Sequence, residues 1–176
     1  AMFFAWCNER TDAHLGRMSN LIPIIPLLIP AAAQTIGFVF LFSPKAGIAN
    51  VWIRTQIFER LGIRSDSGPI DIFTTYGVIS LYVLFLVPFA YLPIATALRN
   101  TDPAFDEASR VAGAGLFRTL RRVTLPAILP AIASGALLAF VIALALFTVP
   151  VIIGRPAGLN LMSVHVYELL TLTFPP

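Results

Sequence analysis

Three long uncharged stretches constrain what this chain can fold into more than any other feature. They are residues 18–44, 72–98 and 123–154, and they contain 27, 27 and 32 residues. A helix of about 20 apolar residues is long enough to cross the hydrocarbon core of a bilayer. A soluble fold would have to bury three such helices inside a chain of only 176 residues. The sequence therefore predicts an all-α, polytopic transmembrane helix bundle with about three full spans, near residues 20–43, 72–98 and 126–153.

The composition also indicates a membrane protein. Hydrophobic residues make up 57% of the chain and charged residues 12%, whereas a soluble domain has about 25% charged residues. Disorder is excluded, because it requires few apolar residues and many charges. The net charge of +3 is too small to indicate a nucleic-acid surface. Because Cys7 is the only cysteine, the chain can form no internal disulfide.

Both ends of the chain suggest a piece of a longer protein. Residues 1–7 lack the basic leader and the small-residue cleavage pattern of a signal peptide, so we expect them to be the end of a preceding span. The chain opens without methionine and closes abruptly at Pro175-Pro176. We therefore expect residues 1–176 to be a partial transmembrane domain.

Several prolines interrupt the predicted spans. In a membrane bundle, neighbouring helices can satisfy the carbonyls that proline frees, so these prolines indicate kinked helices. They are Pro23, Pro26, Pro30, Pro88, Pro93, Pro130 and Pro150. Uncharged polar residues at membrane depth either line a path or, more often, serve helix packing. They are Gln34, Thr35, Tyr76 and Tyr82.

The polar stretches outside the spans differ in their number of basic residues. Residues 8–20, 45–71, 99–125 and the tail from residue 155 contain two, four, five and one. Because alternate loops share a side of the membrane, the totals are seven against five, which weakly favours a cytoplasmic position for 99–125. Within the second stretch, residues 51–61 are amphipathic. They suit a helix at the membrane interface or, as the simpler interpretation, a surface connector.

The stretch 99–125 has the pattern of two helices separated by a turn. Asp102 and Pro103 mark a helix start, because an acceptor side chain precedes a proline at the first helical position. One face of that helix is small apart from a single aromatic side chain, and it consists of Ala104, Phe105, Ala108 and Ala112. Gly113 and Gly115 then interrupt the helix, and a second, basic helix leads into the third span.

This loop resembles the signature loop of ABC importer permeases, whose pattern is Glu-Ala-Ala, three residues, Gly, nine residues, Ile, one residue, Leu-Pro. The matching positions are Glu107, Ala108, Ser109, Gly113, Val123, Leu125 and Pro126. Ser109 replaces the second alanine and Val123 the isoleucine, and both changes keep the side-chain size roughly constant. The resemblance implies the type I ABC importer permease fold in a bacterial inner (plasma) membrane, with 99–125 facing the cytoplasm.

The resemblance also implies a mechanical role for the first helix of the loop. Residues 103–112 look like the coupling helix that sits in a cleft of a cytoplasmic ABC ATPase dimer. That separate subunit would bind ATP, so this chain would need no cofactor. Phe105 would anchor the helix, and Glu107 would meet a basic residue of the ATPase or pair locally with Arg110. Gly113 is expected to supply the turn. The other implied partners are a second permease module, an external substrate-binding protein and the lipid bilayer.

Other stretches resemble the ferric-iron type within this importer superfamily. They are Glu9-Arg10-Thr11-Asp12, Ser43-Pro44-Lys45-Ala46-Gly47, Pro156-Ala157-Gly158 and Tyr167-Glu168. The resemblance implies ferric iron as the substrate. Polyamine, sulfate and thiamine permeases share the coupling loop, so these substrates stay open as alternatives.

No catalytic chemistry can be assigned to the chain. Lys45 is the only lysine and lies outside any GxxxxGK[ST] phosphate-binding loop. His165 and Glu168 have the spacing of a metal pair, but without further ligands an ordinary polar pair is favoured, and we expect no metal site. An ion-coupled secondary transporter is the main alternative class. It would be expected to place charged residues inside its spans, and 72–98 and 123–154 contain none. A membrane enzyme ranks third.

Overall fold

The computed structural model describes residues 1–10, 18–62 and 65–173 of the chain. The described residues form helices and connections, with no β-strand among them. The α-helices are α1 (Met2–Arg10), α2 (Ile25–Leu28), α3 (Ala31–Phe42), α4 (Ile48–Ile53), α5 (Thr75–Asn100), α6 (Ala104–Val111), α7 (Leu116–Thr119), α8 (Leu125–Ala145) and α9 (Met162–Thr173). A 3-10 turn (Ile22–Ile24) precedes α2, and π-helical turns follow α4 (Arg54–Phe58), α7 (Leu120–Thr124) and α8 (Pro150–Gly154). The all-α class is confirmed.

Two helices in the described part of the chain are long and apolar enough to cross a membrane. One is α5, with 26 residues, and the other runs through α7, its π-helical turn and α8 over Leu116–Ala145, with 30 residues. Pro88 and Pro93 lie inside α5 without ending it. The uncharged stretch 72–98 thus coincides with this helix to within three residues at each end.

The first predicted span is not one continuous helix. Ile22–Leu28 and Ala31–Phe42 together have the length and hydropathy of a span, but they are bent by 106° at the break between them. Pro30 precedes α3 with a ψ of 140°, which is not helical. Proline also disfavours the helical conformation of the residue before it, here Ile29, and its ring crowds the carbonyl four residues earlier. The prediction of a single helix over 20–43 therefore needs correction at this proline.

The helix at the third predicted span, Leu116–Ala145, begins and ends earlier in the chain than the uncharged stretch 123–154. The helix ends at Ala145, eight residues before the predicted end at 153. Pro150 has no backbone N–H, so it cannot donate to the carbonyl of Leu146, four residues before it. That carbonyl instead accepts hydrogen bonds from the Tyr82 hydroxyl at 3.4 Å and the Ser163 hydroxyl at 3.1 Å. The side chains thus replace the missing helical partner.

The chain divides into two compact units. The first consists of Ala1–Leu27 and Leu86–Ile142. Its core is formed by buried residues of α1, α5 and α8, namely Ala5, Tyr91, Ile94, Ala95, Leu98 and Ile128. Gly135 of α8 lies so close to Ala90 of α5 that an added Cβ would be 3.2 Å from the Ala90 carbonyl oxygen. The small residue therefore sets how closely α5 and α8 approach each other in this unit.

The second unit consists of Leu28–Phe85 and Ala143–Pro176. Its buried apolar core is formed by Ile72, Val78, Leu81, Leu146, Val149 and Ile153. The connection between α3 and α5 is held by Asn50, which is fully buried. Its amide donates to the carbonyls of Ser43 and Ile70 and accepts from the Ile70 N–H. On the outer side of α4, Ile48 and Trp52 are exposed.

Candidate functional site

A helix, α6, lies where the sequence predicts the coupling helix, and its start follows from local chemistry. The Asp102 carboxylate accepts the N–H of Ala104 at 2.9 Å, which satisfies one of the free donors at the helix N-terminus. Asp106 and Glu107 lie in the first turn and Arg110 in the last, the arrangement that suits the helix dipole. Only three residues separate α5 from α6, so the end of the α5 span and the helix are closely linked along the chain.

One face of α6 is directed away from the rest of the first unit. Phe105 is 64% exposed and Val111 90% exposed. Ala108 and Ala112 are also exposed, so the small face expected from the sequence is open. Glu107 is exposed as well and, within the residues that the structure describes, forms no ion pair with Arg110 or any other group. The local ion pair with Arg110, one of the two interpretations of Glu107 from the sequence, is therefore absent from the described residues.

The opposite face of α6 is attached to the helix that leads into α8. The Thr124 hydroxyl donates to Oδ1 of Asp106 at 2.9 Å, and the hydroxyls of Ser109 and Thr119 are 3.0 Å apart. Thr119 and Thr124 are both buried. Ser109, which replaces an alanine of the family pattern, therefore adds a hydrogen bond that alanine could not make. Nothing in the sequence indicated that Asp106 and Thr124 are partners.

The turn after α6 contains two glycines, and its backbone geometry requires a glycine at only one of the two positions. Gly113 has a φ of +81°, in the left-handed region that other residues rarely adopt. Its N–H donates to the carbonyl of Arg110, and the N–H of Ala114 donates to that of Ser109. These two bonds satisfy the last carbonyls of α6 in the pattern of a Schellman motif. Gly115 has a φ of −68°, which any residue can adopt.

The remaining predicted site residues lie at the junction between the loop and α8. Val123 and Leu125 are half-buried and Pro126 is exposed. Pro126 cannot donate to the carbonyl of Arg122, four residues before it. Arg122 belongs to the π-helical turn Leu120–Thr124, and such turns accommodate irregular hydrogen bonding inside a long helix. These residues therefore shape the connection to the span rather than the exposed face of α6.

A residue of α1 that the loop motif does not include also reaches the loop. The Arg10 side chain is 8% exposed, and its Nε lies 3.5 Å from Oδ2 of Asp106. Its Nη2 donates to the carbonyls of Leu98 at 2.9 Å and Thr101 at 2.7 Å. The sequence included Arg10 only in a stretch resembling the ferric-iron type. Two residues of that stretch, Thr11 and Asp12, lie outside the described part of the chain.

Several of the other residues considered as candidate sites have local partners. Glu168 forms an ion pair with Arg155. No group of three or more possible metal ligands occurs among the described residues. The Thr35 hydroxyl donates to the carbonyl of Ala31, and the Gln34 amide donates to that of Ile29. These polar side chains of α3 thus bond to their own neighbourhood in the chain.

Comparison with known proteins shows relatives among transport permeases. The chain is 31% identical over 133 residues to the spermidine/putrescine transport system permease protein PotB of Haemophilus influenzae, which covers 75% of this chain and 46% of the relative. It is 28% identical over 143 residues to the putative 2-aminoethylphosphonate transport system permease protein PhnU of Salmonella typhimurium, covering 81% and 47%. It is 23% identical over 164 residues to the putative ferric transport system permease protein FbpB 1 of H. influenzae, covering 93% and 25%.

These relatives are permeases rather than enzymes, and the chain spans about half of their length or less. The family of inner membrane components of binding-protein-dependent transport systems matches residues 1–173. That match covers the loop with α6 and both long apolar helices, and it agrees with a location in the inner membrane. The chain therefore belongs to the family of binding-protein-dependent transport system inner membrane components.

Proposed function

We propose that this chain is part of the permease of an ATP-driven ABC importer, and that α6 is the helix on which the cytoplasmic ATPase acts. The observation that carries the proposal is the two-sided character of α6. Its outer face exposes Phe105 and small residues, whereas Asp106 and Ser109 attach its inner face to the base of α8. A helix built in this way can receive a partner on one side and transmit force on the other.

The connections around α6 suit a transmitting role. Three residues join it to α5 and four join it to α7, and its inner face is hydrogen-bonded to the helix that continues into α8. A movement of α6 is therefore passed to both long apolar helices nearly as a rigid body. The ATP is bound by the separate ATPase subunit, and the substrate arrives on an external binding protein. A secondary transporter would need no such exposed helix, and the family match favours the importer.

Glu107 provides the test of this proposal. Glu107 is exposed on α6, and its carboxylate suits a basic residue of the ATPase, so Glu107→Lys is expected to weaken docking by reversing the charge. A loss of about 1–3 kcal/mol, or roughly five- to 150-fold in affinity for the ATPase, is the size expected for a charge-assisted contact. The measurement is ATPase subunit retained on purified permease, together with ATP hydrolysis stimulated by the loaded binding protein and substrate uptake.

Glu59→Lys is the matched control, because Glu59 is also exposed but lies in the connection between α3 and α5. It is expected to leave all three measurements unchanged. Equal values for Glu107→Lys, Glu59→Lys and the unaltered complex would show that α6 is not the docking helix.

For the substrate, we propose two candidates: ferric iron and a polyamine. The stretches around Glu9, Ser43 and Pro156 support ferric iron, and relatives named for ferric and for spermidine/putrescine transport support both. Uptake of each compound would be measured with the whole transporter and its binding protein in proteoliposomes containing ATP. ATP-dependent uptake of one compound selects it. Uptake of 2-aminoethylphosphonate, sulfate or thiamine alone would remove both candidates and leave the permease class intact.

A further inference from the structure

We propose that Arg10 and Asp106 form a buried positioning pair, which attaches the coupling helix α6 to α1 and makes α1 follow the movement of α6. This inference rests on the proposed function, because it concerns how a displacement of α6 spreads through the permease. The coupling loop motif contains neither residue. Their juxtaposition joins the end of the helix before the first predicted span to a loop far along the chain.

The burial of the two side chains shows that the pair is more than a surface contact. The Arg10 side chain is 8% exposed and that of Asp106 15% exposed, with 3.5 Å between Nε and Oδ2. Exposed ion pairs contribute little and form and break readily. A buried charge without its partner is strongly unfavourable, so neither side chain can leave the other without a large cost. The pair therefore favours one relative position of α1 and α6.

Arg10 also holds the end of α5. The carbonyl of Leu98 lies in the last turn of α5, and that of Thr101 lies in the short connection to α6. Carbonyls at the end of a helix have no partner within the helix and carry its negative partial charge. The guanidinium therefore hydrogen-bonds the end of α5 through Nη2, while its Nε faces the carboxylate of Asp106 as an ion pair without a hydrogen bond.

Asp106 completes the arrangement on the other side. Its Oδ2 faces Arg10, while its Oδ1 accepts the hydroxyl of Thr124, which is 2% exposed. One carboxylate therefore joins α1 to the π-helical turn that leads into α8. A displacement of α6 pulls on α1 through the ion pair and on α8 through the hydroxyl.

A neighbouring pair provides an internal comparison. Glu9 and Arg99 are 2.8 Å apart and join α1 to α5 without touching α6. Arg99 is 51% exposed, so this pair is screened by water in a way that the Arg10–Asp106 pair is not. If any attachment of α1 to its neighbours were sufficient for coupling, removal of either pair would have the same effect on coupling. If attachment of α1 to α6 matters, only the Arg10–Asp106 pair affects coupling.

The experiment removes both charges of a pair at once, because a single substitution leaves an uncompensated buried charge and risks misfolding. The variants are R10M/D106L and, as the control, E9Q/R99Q, each in the full permease assembled with its ATPase and binding protein. The first readout is the number of substrate molecules transported per ATP hydrolysed. The second is the distance between spin labels at Phe3 on α1 and Arg110 on α6, in a Cys7→Ser background, with and without ATP.

R10M/D106L is expected to retain the ATPase and hydrolyse ATP while transport per ATP falls by about fivefold or more. The label distance is expected to be narrow and the same with and without ATP in the unaltered complex, because α1 moves with α6, and to broaden and change with ATP in R10M/D106L. E9Q/R99Q is expected to stay within about twofold of the unaltered complex in transport per ATP and to keep its label distances. Unaltered transport per ATP and unaltered distances in R10M/D106L would overturn the proposal. Equal losses in both double variants would overturn it too.

The label distances keep this proposal separate from the proposed function. If the unaltered complex retained no ATPase and showed no ATP-dependent uptake, the importer assignment would fail. In the purified permease the Phe3–Arg110 distance would still be narrow with the pair intact and broad in R10M/D106L. A distance that is equally narrow in both proteins would overturn the positioning pair even where transport is ATP-driven.

Discussion

The turn after α6 depends on the backbone conformation of Gly113 and not on the space around it. Its φ is +81°, and a Cβ added at this position would meet nothing within 4 Å. A side chain here is therefore not excluded by its neighbours. It is disfavoured by its own backbone, because an L-residue in the left-handed region brings its Cβ close to the following carbonyl oxygen.

Gly113→Val is expected to destabilise the turn by about 1–2 kcal/mol and to loosen α6 from α7. Substrate-stimulated ATP hydrolysis and uptake should then diverge, with hydrolysis retained and uptake reduced. Gly115→Val is the matched control, since its φ of −68° and the open space around it accept valine. Gly113→Asn should lie between the two, because asparagine tolerates the left-handed region. Equal behaviour of the two valine variants would contradict the backbone explanation.

Among the elements, the packing of α5 against α8 in the first unit depends on Gly135. An added Cβ would lie 3.2 Å from the carbonyl oxygen and 3.3 Å from the Cα of Ala90. Both atoms belong to the backbone of α5, so they cannot move aside without a shift of the helix. By contrast, Gly37 in α3 has no atom within 4 Å of an added Cβ in the described chain.

Gly135→Leu is therefore expected to lower the free energy of unfolding by about 1–3 kcal/mol, since overpacking forces the two helices apart. Gly37→Leu is the matched control and should be neutral or slightly stabilising, because leucine has the higher helix propensity by about 0.5–1 kcal/mol. The measurement is the midpoint of thermal unfolding of the detergent-purified permease. Equal shifts for the two variants would show that the α5–α8 approach is not limited by this glycine.

At the scale of the whole molecule, the orientation in the membrane stays a prediction that labelling can test. One long apolar helix, α5, separates the connection after α3 from the coupling loop along the chain. If α5 crosses the bilayer once, the two loops lie on opposite sides. Thr119 is buried against Ser109 and is therefore unsuitable for labelling. Phe117 is 75% exposed and takes its place.

Single cysteines at Phe117 and Ser67 would be labelled in intact cells with a reagent that does not cross the membrane. Ser67 is exposed and is expected to react, whereas Phe117 is expected to react only after the cells are opened. Expression and uptake by the single-cysteine proteins check that each is folded. Reaction of the cysteine at 117 from outside would reverse the topology.

The sequence by itself determined the all-α class of this protein and the position of the loop that contains α6. Both depend on signals that are local in the chain: uncharged stretches long enough for a bilayer, and a spaced motif that ends one helix at Gly113 and begins the next. The break at Pro30 and the early end of α8 before Pro150 also have local causes, because proline removes one donor and crowds one carbonyl. The extent to which each proline breaks its helix also depends on other groups that can hydrogen-bond the freed carbonyl. For Pro150 these groups are the hydroxyls that donate to the carbonyl of Leu146.

Only the tertiary structure decided which side chains of the loop work together. Arg10 contacts carbonyls that are 88 and 91 residues away in sequence, and Asp106 and Thr124 are separated by 18. No periodicity or motif connects such positions, because the contact exists only after α1, α5 and the base of α8 have packed. Burial also matters, because an arginine that is shielded from water cannot leave its partner without a large cost in free energy.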